Sequence, residues 1–120
     1  MSSTHGSHWL EREDIGEVTV VRLKTEFPVE SAIGEVFDPI YTIVDSLGRN
    51  RLVFNMATAD YLPSAALGKL VMLSRKVRVG GGRLALCHLS PSAGEVLVTT
   101  HLSDLFNIYG TEQDALQSFA

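Results

Sequence analysis

The chain alternates between short apolar runs and longer segments with helical spacing, and this alternation constrains its fold more than any other feature. "VTVVRL" (residues 18–23), "RLVFNMA" (51–57), "RLALCHL" (83–89) and "LFNIYG" (105–110) read as strands: short, β-branched or apolar, and bounded by turn residues. A further extended piece is expected around Trp9 and Leu10. Residues 29–47, 64–78 and 90–102 and the closing "TEQDALQSF" read as helices. Strands that alternate with helices predict an α/β layer, because crossover helices are what join parallel neighbours. The expectation is a small mixed, mainly parallel sheet of four to five strands with about four helices.

Within the first helical segment Ile33, Val36, Phe37, Ile40, Val44 and Leu47 fall on one apolar face. Pro39 sits inside that segment. An interior proline costs about 3 kcal/mol and bends or breaks a helix. Two outcomes stay open: a helix kinked at Pro39, or one that starts late with Asp38 as its cap and Pro39 at the tolerated first position. Leu67, Leu70, Val71, Leu73, Ser74 and Val77 mark the buried stripe of the second helix, which the glycines at 80–82 end. Thr111 with Asp114 three residues on resembles a capping box.

Size and charge exclude several classes. A chain of 120 residues buries roughly two-thirds of its unfolded surface, enough for one modest core. Residues 1–8 are small and polar and are expected as a disordered tail, with 9–120 as a single domain. The net charge of -4 and the lack of a basic stripe argue against a nucleic-acid partner. The single cysteine, Cys87, rules out an internal disulfide and reads as a small buried hydrophobe. No run approaches the roughly 20 apolar residues of a membrane span, and the N-terminus lacks a hydrophobic signal core, so a cytoplasmic protein without a membrane partner is expected.

No motif assembles an enzyme. The glycine run ends a helix, whereas a phosphate cradle opens one, and no G-x-x-x-x-G-K-[ST] occurs. His5 and His8 lie in the tail, and His88 and His101, 13 residues apart in different elements, have no cysteine or carboxylate at ligand spacing, so neither a metal nor a cofactor is expected. "LPSAA" lacks the strained G-x-S-x-G elbow of a serine hydrolase. Ser64, which stands between a strand and a helix in "ADYLPSAALGKL", carries two readings. It suits an N-cap whose oxygen accepts a first-turn amide. The same place suits a phosphate, because a helix start offers unpaired N–H groups and a partial positive charge. A phosphoryl group there adds about -1.5 to -2 charges at one surface point.

Taken together, "VTVVRL" with the following "TEF" turn, "RLVFNMATADYLPSAALGKL", "GGRLALCHLSP" and "LFNIYGTEQDAL" resemble the STAS domain, specifically the small bacterial anti-sigma-factor antagonists. The similarity runs from about Gly16 to Phe119, and the order and spacing of the blocks carry it. It implies helices packed mostly on one side of the sheet, and a protein-binding switch without catalysis. In such switches the unphosphorylated antagonist binds an anti-sigma factor that is also a serine kinase with an ATP-binding fold. The kinase phosphorylates a serine at the start of the second major helix, the complex separates, and a serine phosphatase resets the protein.

The family's acceptor segment reads Asp-Ser-Ser/Thr-Gly-Leu-Gly, and "PSAALG" fills that register, so the resemblance makes Ser64 the phosphoacceptor. Pro63 replaces the aspartate, and Ala65 and Ala66 replace the next two residues. In "TEFP", Pro28 stands where a second aspartate is common, while Asn55 occupies a strand position where Asp or Asn is usual. The partner surface implied comprises Glu26, Phe27, Pro28, Asn55, Tyr61, Leu62, Pro63, Ser64, Ala65 and Lys69. Two rival readings are a constitutive STAS scaffold that is never phosphorylated and a small-ligand-binding STAS module.

Overall fold

The computed structural model describes the backbone of residues 2–6 and the whole of residues 8–120. Six strands form one sheet in sequential order: β1 (Ser2–Gly6), β2 (Leu10–Ile15), β3 (Val18–Leu23), β4 (Arg51–Asn55), β5 (Arg83–Cys87) and β6 (Asn107–Tyr109). The pairs β1–β2 and β2–β3 are antiparallel, while β3–β4, β4–β5 and β5–β6 are parallel. The sheet is thus mixed and mainly parallel, with one strand more than the four to five expected. That strand comes from the stretch expected as a tail. Its residues 2–6 pair with β2, while Met1 and Ser7 of the same stretch lie outside the described residues. Gly16, at φ +61°, makes the tight turn between β2 and β3.

Alternation along each strand divides the core. Val21, Leu23, Leu52, Phe54, Leu84 and Leu86 point to one face, against helices α1 (Ile33–Asp45), α2 (Ser64–Val79) and α3 (Pro91–Thr99). Val20, Val53, Ala85 and Cys87 point to the other, where α4 (Glu112–Gln117) covers them through the fully buried Ala115. Three helices therefore share one side. The strand residues under α4 are small, which lets this short helix sit close. Cys87 is one of them, and burial pushes its thiol up to about 12.

Helix α1 settles the question of Pro39: it runs from Ile33 through Pro39 to Asp45, after a 3₁₀ turn at Glu30–Ala32. Pro39 is exposed and lies off the apolar face, as does Glu35, whose carbonyl loses its amide partner. Because Glu35 is exposed, its carbonyl is open to solvent, and the helix continues past the proline. Ile33, Val36, Phe37, Ile40, Ile43 and Val44 are buried, but Leu47, expected on the same face, lies beyond the helix end and is 55 % exposed. Helix α3 stops at Thr99, before the expected end near residue 102, and a 3₁₀ turn at Ser103–Leu105 follows. The glycine run closes α2, with Gly81 at φ +82°. A Cβ on Gly82 would overlap the Asn50 carbonyl, so close contact between two turns explains that glycine. Thr111 caps α4 by accepting the Asp114 N–H at 3.1 Å.

Candidate functional site

The loop between β4 and α2, residues 56–63, is built around three buried apolar anchors, Met56, Ala59 and Leu62. Polar bonds fix what lies between them. Thr58 Oγ1 donates toward the carbonyls of Leu23 and Thr25, at 3.0 and 2.9 Å, and so holds the loop to the end of β3. Both carboxylate oxygens of Glu26 accept the Asp60 N–H, at 3.0 and 3.1 Å. Ser90 Oγ donates to the Asp60 carbonyl at 2.9 Å and accepts the Ala93 N–H at 3.1 Å as the cap of α3. The loop is thereby tied to the 24–29 segment on one side and to α3 on the other. What remains outward is Tyr61, 61 % exposed, then Pro63 and Ser64.

Ser64 does not cap α2. Pro63 occupies the cap position with φ -64° and ψ 150°, and no side chain accepts a first-turn amide. The ring of Pro63 supplies the extended geometry a cap needs but no oxygen. The first helical bond joins the Leu67 N–H to the Pro63 carbonyl at 3.0 Å. Ser64 is therefore the first helical residue, exposed, and its hydroxyl bonds to nothing among the described residues. Around it lie the unpaired amides and partial positive charge of a 16-residue helix, which favour a negative group by about 0.3–1 kcal/mol.

The other residues expected at the surface separate into groups. Tyr61, Pro63 and Ala65 lie on the loop and helix start with Ser64, while Glu26 holds the loop from the 24–29 segment. Pro28 is half-buried, and so is Phe27, whose ring packs on Phe37 and Phe54 with centroids 6.2 and 6.5 Å apart. Leu62 is only 2 % exposed and belongs to the protein's own core. Lys69 folds back toward α1: its Nζ lies 5.9 Å from the Tyr41 ring, and its carbonyl accepts the Tyr41 hydroxyl at 2.9 Å. Asn55 turns to the α4 side of the sheet. There its amide donates to Glu112 Oε1 at 3.0 Å, and its oxygen accepts the Ala57 N–H at 2.9 Å. It props the root of the loop instead of lining the outer surface.

Sequence reasoning missed two groups of residues. Gly68 and Met72 continue the exposed stripe of α2 at spacings of four from Ser64, Met72 being 46 % exposed. Gly68 has open space where a Cβ would stand, so nothing in the chain itself requires a glycine there. It leaves a flat spot on the helix, one turn from Ser64, where another backbone can approach. The outward i, i+4 spacing was the available signal. The second group lies behind the loop. Arg22 binds Glu112 at 2.7 Å, Glu11 at 2.7 Å and Glu13 at 2.8 Å, and its guanidinium is held strongly protonated, chiefly by Glu112. Arg22 in turn holds the Glu112 carboxyl below its ordinary value. Through Asn55 this cluster reaches the loop that presents Ser64.

Among the described residues no group of three His, Cys, Asp or Glu side chains is arranged to hold a metal ion. No helix among them is long and apolar enough to cross a membrane.

Comparison with known proteins places this arrangement. A family model described as the STAS domain matches residues 10–115. BtrV of Bordetella bronchiseptica, named as an anti-sigma factor antagonist, is 26 % identical over 91 residues, 76 % of this chain and 78 % of its own. A crystal structure from Thermotoga maritima, titled as an anti-sigma factor antagonist, superposes with a TM-score of 0.80 at 21 % identity, over 92 % of this chain and 94 % of that one. SpoIIAA, an anti-sigma factor antagonist, matches in its unphosphorylated form with a TM-score of 0.78 at 20 % identity, over 92 % and 95 % of the two chains. Its phosphorylated form matches with a TM-score of 0.73 at 20 % identity, over 92 % and 99 %. At these identities the structural likeness is one of fold.

Proposed function

The chain belongs to the STAS domain family, and on that premise we propose that it is an anti-sigma-factor antagonist whose binding is switched by phosphorylation of Ser64. The observation that carries this reading is the exposed, unbonded hydroxyl of Ser64 at the first position of α2. Phosphorylation there leaves the fold's own hydrogen bonds intact and meets the positive end of the helix, so the modified protein stays folded. The effect falls on the partner, because about -1.5 to -2 charges appear in the middle of the docking surface.

In this reading the partner is an anti-sigma factor that is also a serine kinase with an ATP-binding fold, acting in the cytoplasm, and a serine phosphatase reverses the mark. The chain itself performs no catalysis and needs no cofactor. Tyr61, Pro63, Ser64, Ala65, Gly68 and Met72 form the contact, with Glu26 holding the loop in place. The names of BtrV, the Thermotoga maritima protein and SpoIIAA support the antagonist role.

One observation favours a rival, a constitutive scaffold: Pro63 and Pro28 stand where acidic residues accompany the acceptor in the family. Intact-mass measurement after incubation with the cognate kinase and ATP separates the two. Gain of one phosphate, lost in Ser64→Ala, together with release of the partner by Ser64→Asp, is the expected result. No phosphate gain and unchanged binding by Ser64→Asp overturn the switch and leave the scaffold.

A further inference from the structure

At the pole of the sheet opposite Ser64, we propose a binding site for a phosphate-type oxyanion held between Arg51 and Arg83. These residues begin β4 and β5 and are direct partners in the parallel register. They point to the same face of strands that lie about 4.8 Å apart, which sets two permanent positive charges side by side. Like charges in register are destabilising. Within a chain of net charge -4, the described residues do little to offset this pair. Arg51 meets Glu17 at 3.4 Å, but the two side chains are 48 % and 82 % exposed, and such pairs contribute little. Arg83 has no carboxylate partner among the described residues.

Arg83 is nonetheless held in place. Its Nη2 donates to Ser118 Oγ at 2.8 Å and to the Ser118 carbonyl, and the guanidinium lies 4.1 Å from the centre of the Phe119 ring. These contacts, together with the Tyr109 hydroxyl that sits against the Arg83 side chain, fix the plane of the group and leave part of its five-donor fork for another acceptor. An oriented guanidinium loses little freedom when it grips an oxyanion with two parallel bonds. Arg51, Gly81, Gly82, Arg83, Ser118 and Phe119 line an open surface cleft of about 250 Å³. That is just under the roughly 300 Å³ at which pockets for small organic ligands begin, so it suits a small anion or a terminal phosphate. A tetrahedral dianion between the two arginines accepts from both and cancels their repulsion. This site stands independently of the reading of Ser64.

The test is a heteronuclear NMR titration with inorganic phosphate, pyrophosphate and phosphoserine, each at ionic strength matched with sodium chloride. Saturable shifts confined to the Gly81, Gly82, Ser118 and Phe119 amides and the Arg51 and Arg83 side chains are expected. Arg51→Gln weakens binding roughly tenfold or more, the worth of one charge-assisted contact. Tightest binding of pyrophosphate points to a polyphosphate source, and tightest binding of phosphoserine to a phosphomonoester; both support the site. In thermal melts, phosphate raises the parent's midpoint but not that of Arg51→Gln, which in phosphate-free buffer melts no lower than the parent. Shifts that do not saturate, that spread to Arg49, Arg75 and Arg78, or that persist unchanged in Arg51→Gln overturn the proposal.

Discussion

Substituting Glu112 by glutamine tests whether the Arg22 cluster secures α4 and, through Asn55, the loop that presents Ser64. The Glu112 carboxylate accepts Arg22 Nε at 2.7 Å, Arg22 Nη2 at 2.9 Å and Asn55 Nδ2 at 3.0 Å. Glutamine keeps one oxygen, loses the charge and turns an amide donor toward the guanidinium. A hydrogen bond to a charged group contributes about 1.5–3 kcal/mol. Arg22 retains Glu11 and Glu13, and Arg22 and Glu112 keep 24 % and 20 % of their side-chain surface, so screening reduces the loss. The expected destabilisation at pH 7 is about 1–3 kcal/mol, a fall of roughly 3–10 °C in Tm.

The effect carries a pH signature. Arg22 hydrogen bonding holds the Glu112 carboxyl below its ordinary 4.5, against the opposing influence of burial. A depressed folded value gives stability that is fully present above the unfolded value and is lost as pH falls through the folded one. Urea unfolding of parent and variant at pH 7, 5, 4 and 3 therefore shows a gap that is constant down to about pH 5 and closes below it. A gap under about 0.5 kcal/mol at pH 7, or one unchanged at pH 3, would refute the account.

Three glycine and proline substitutions test other parts of the structure by chemical denaturation. Gly68→Ala fills open space in a helix interior and stabilises the protein by about 0.5–1 kcal/mol, while weakening anti-sigma-factor binding measured by calorimetry. Gly82→Ala places a Cβ against the Asn50 carbonyl and lowers stability by about 2 kcal/mol or more, with no change in binding at the Ser64 surface. Pro39→Ala restores an amide for the Glu35 carbonyl and stabilises by about 2–2.6 kcal/mol. That figure is the helix cost of roughly 3 kcal/mol less the entropy returned to the unfolded chain.

The layer architecture was legible because hydrophobic spacing is local. Leu52, Val53 and Phe54 announce a strand buried on both faces, and Ile33, Val36, Phe37 and Ile40 announce a helix face. The role of Ser64 was only half legible. Its place at a helix start follows from composition, but whether it caps the helix depends on one residue's backbone angles, and Pro63 takes that position. Strand β1 escaped because "SSTHG" has no apolar alternation; its pairing is supplied by β2. Leu62 was expected at the partner surface because it stands in the acceptor segment two residues before Ser64, yet the loop turns it inward. The Arg22 cluster had no sequence signal, since Arg22 and Glu112 are 90 residues apart and only the sheet brings them together.

The strictly sequential order of the strands has a consequence for how the molecule opens. Each strand pairs only with its neighbours in the sequence, so β1 and β6 can detach from the edges without threading past anything. Amide hydrogen exchange is then expected to proceed inward from both edges, with β3, β4 and β5 protected longest. The loop bearing Ser64 springs from β4, inside that last unit to unfold. Fluctuations that peel the edges therefore leave Ser64 and its loop in place, so under the proposed function a partner's reading of the serine is not confused with the breathing of the fold.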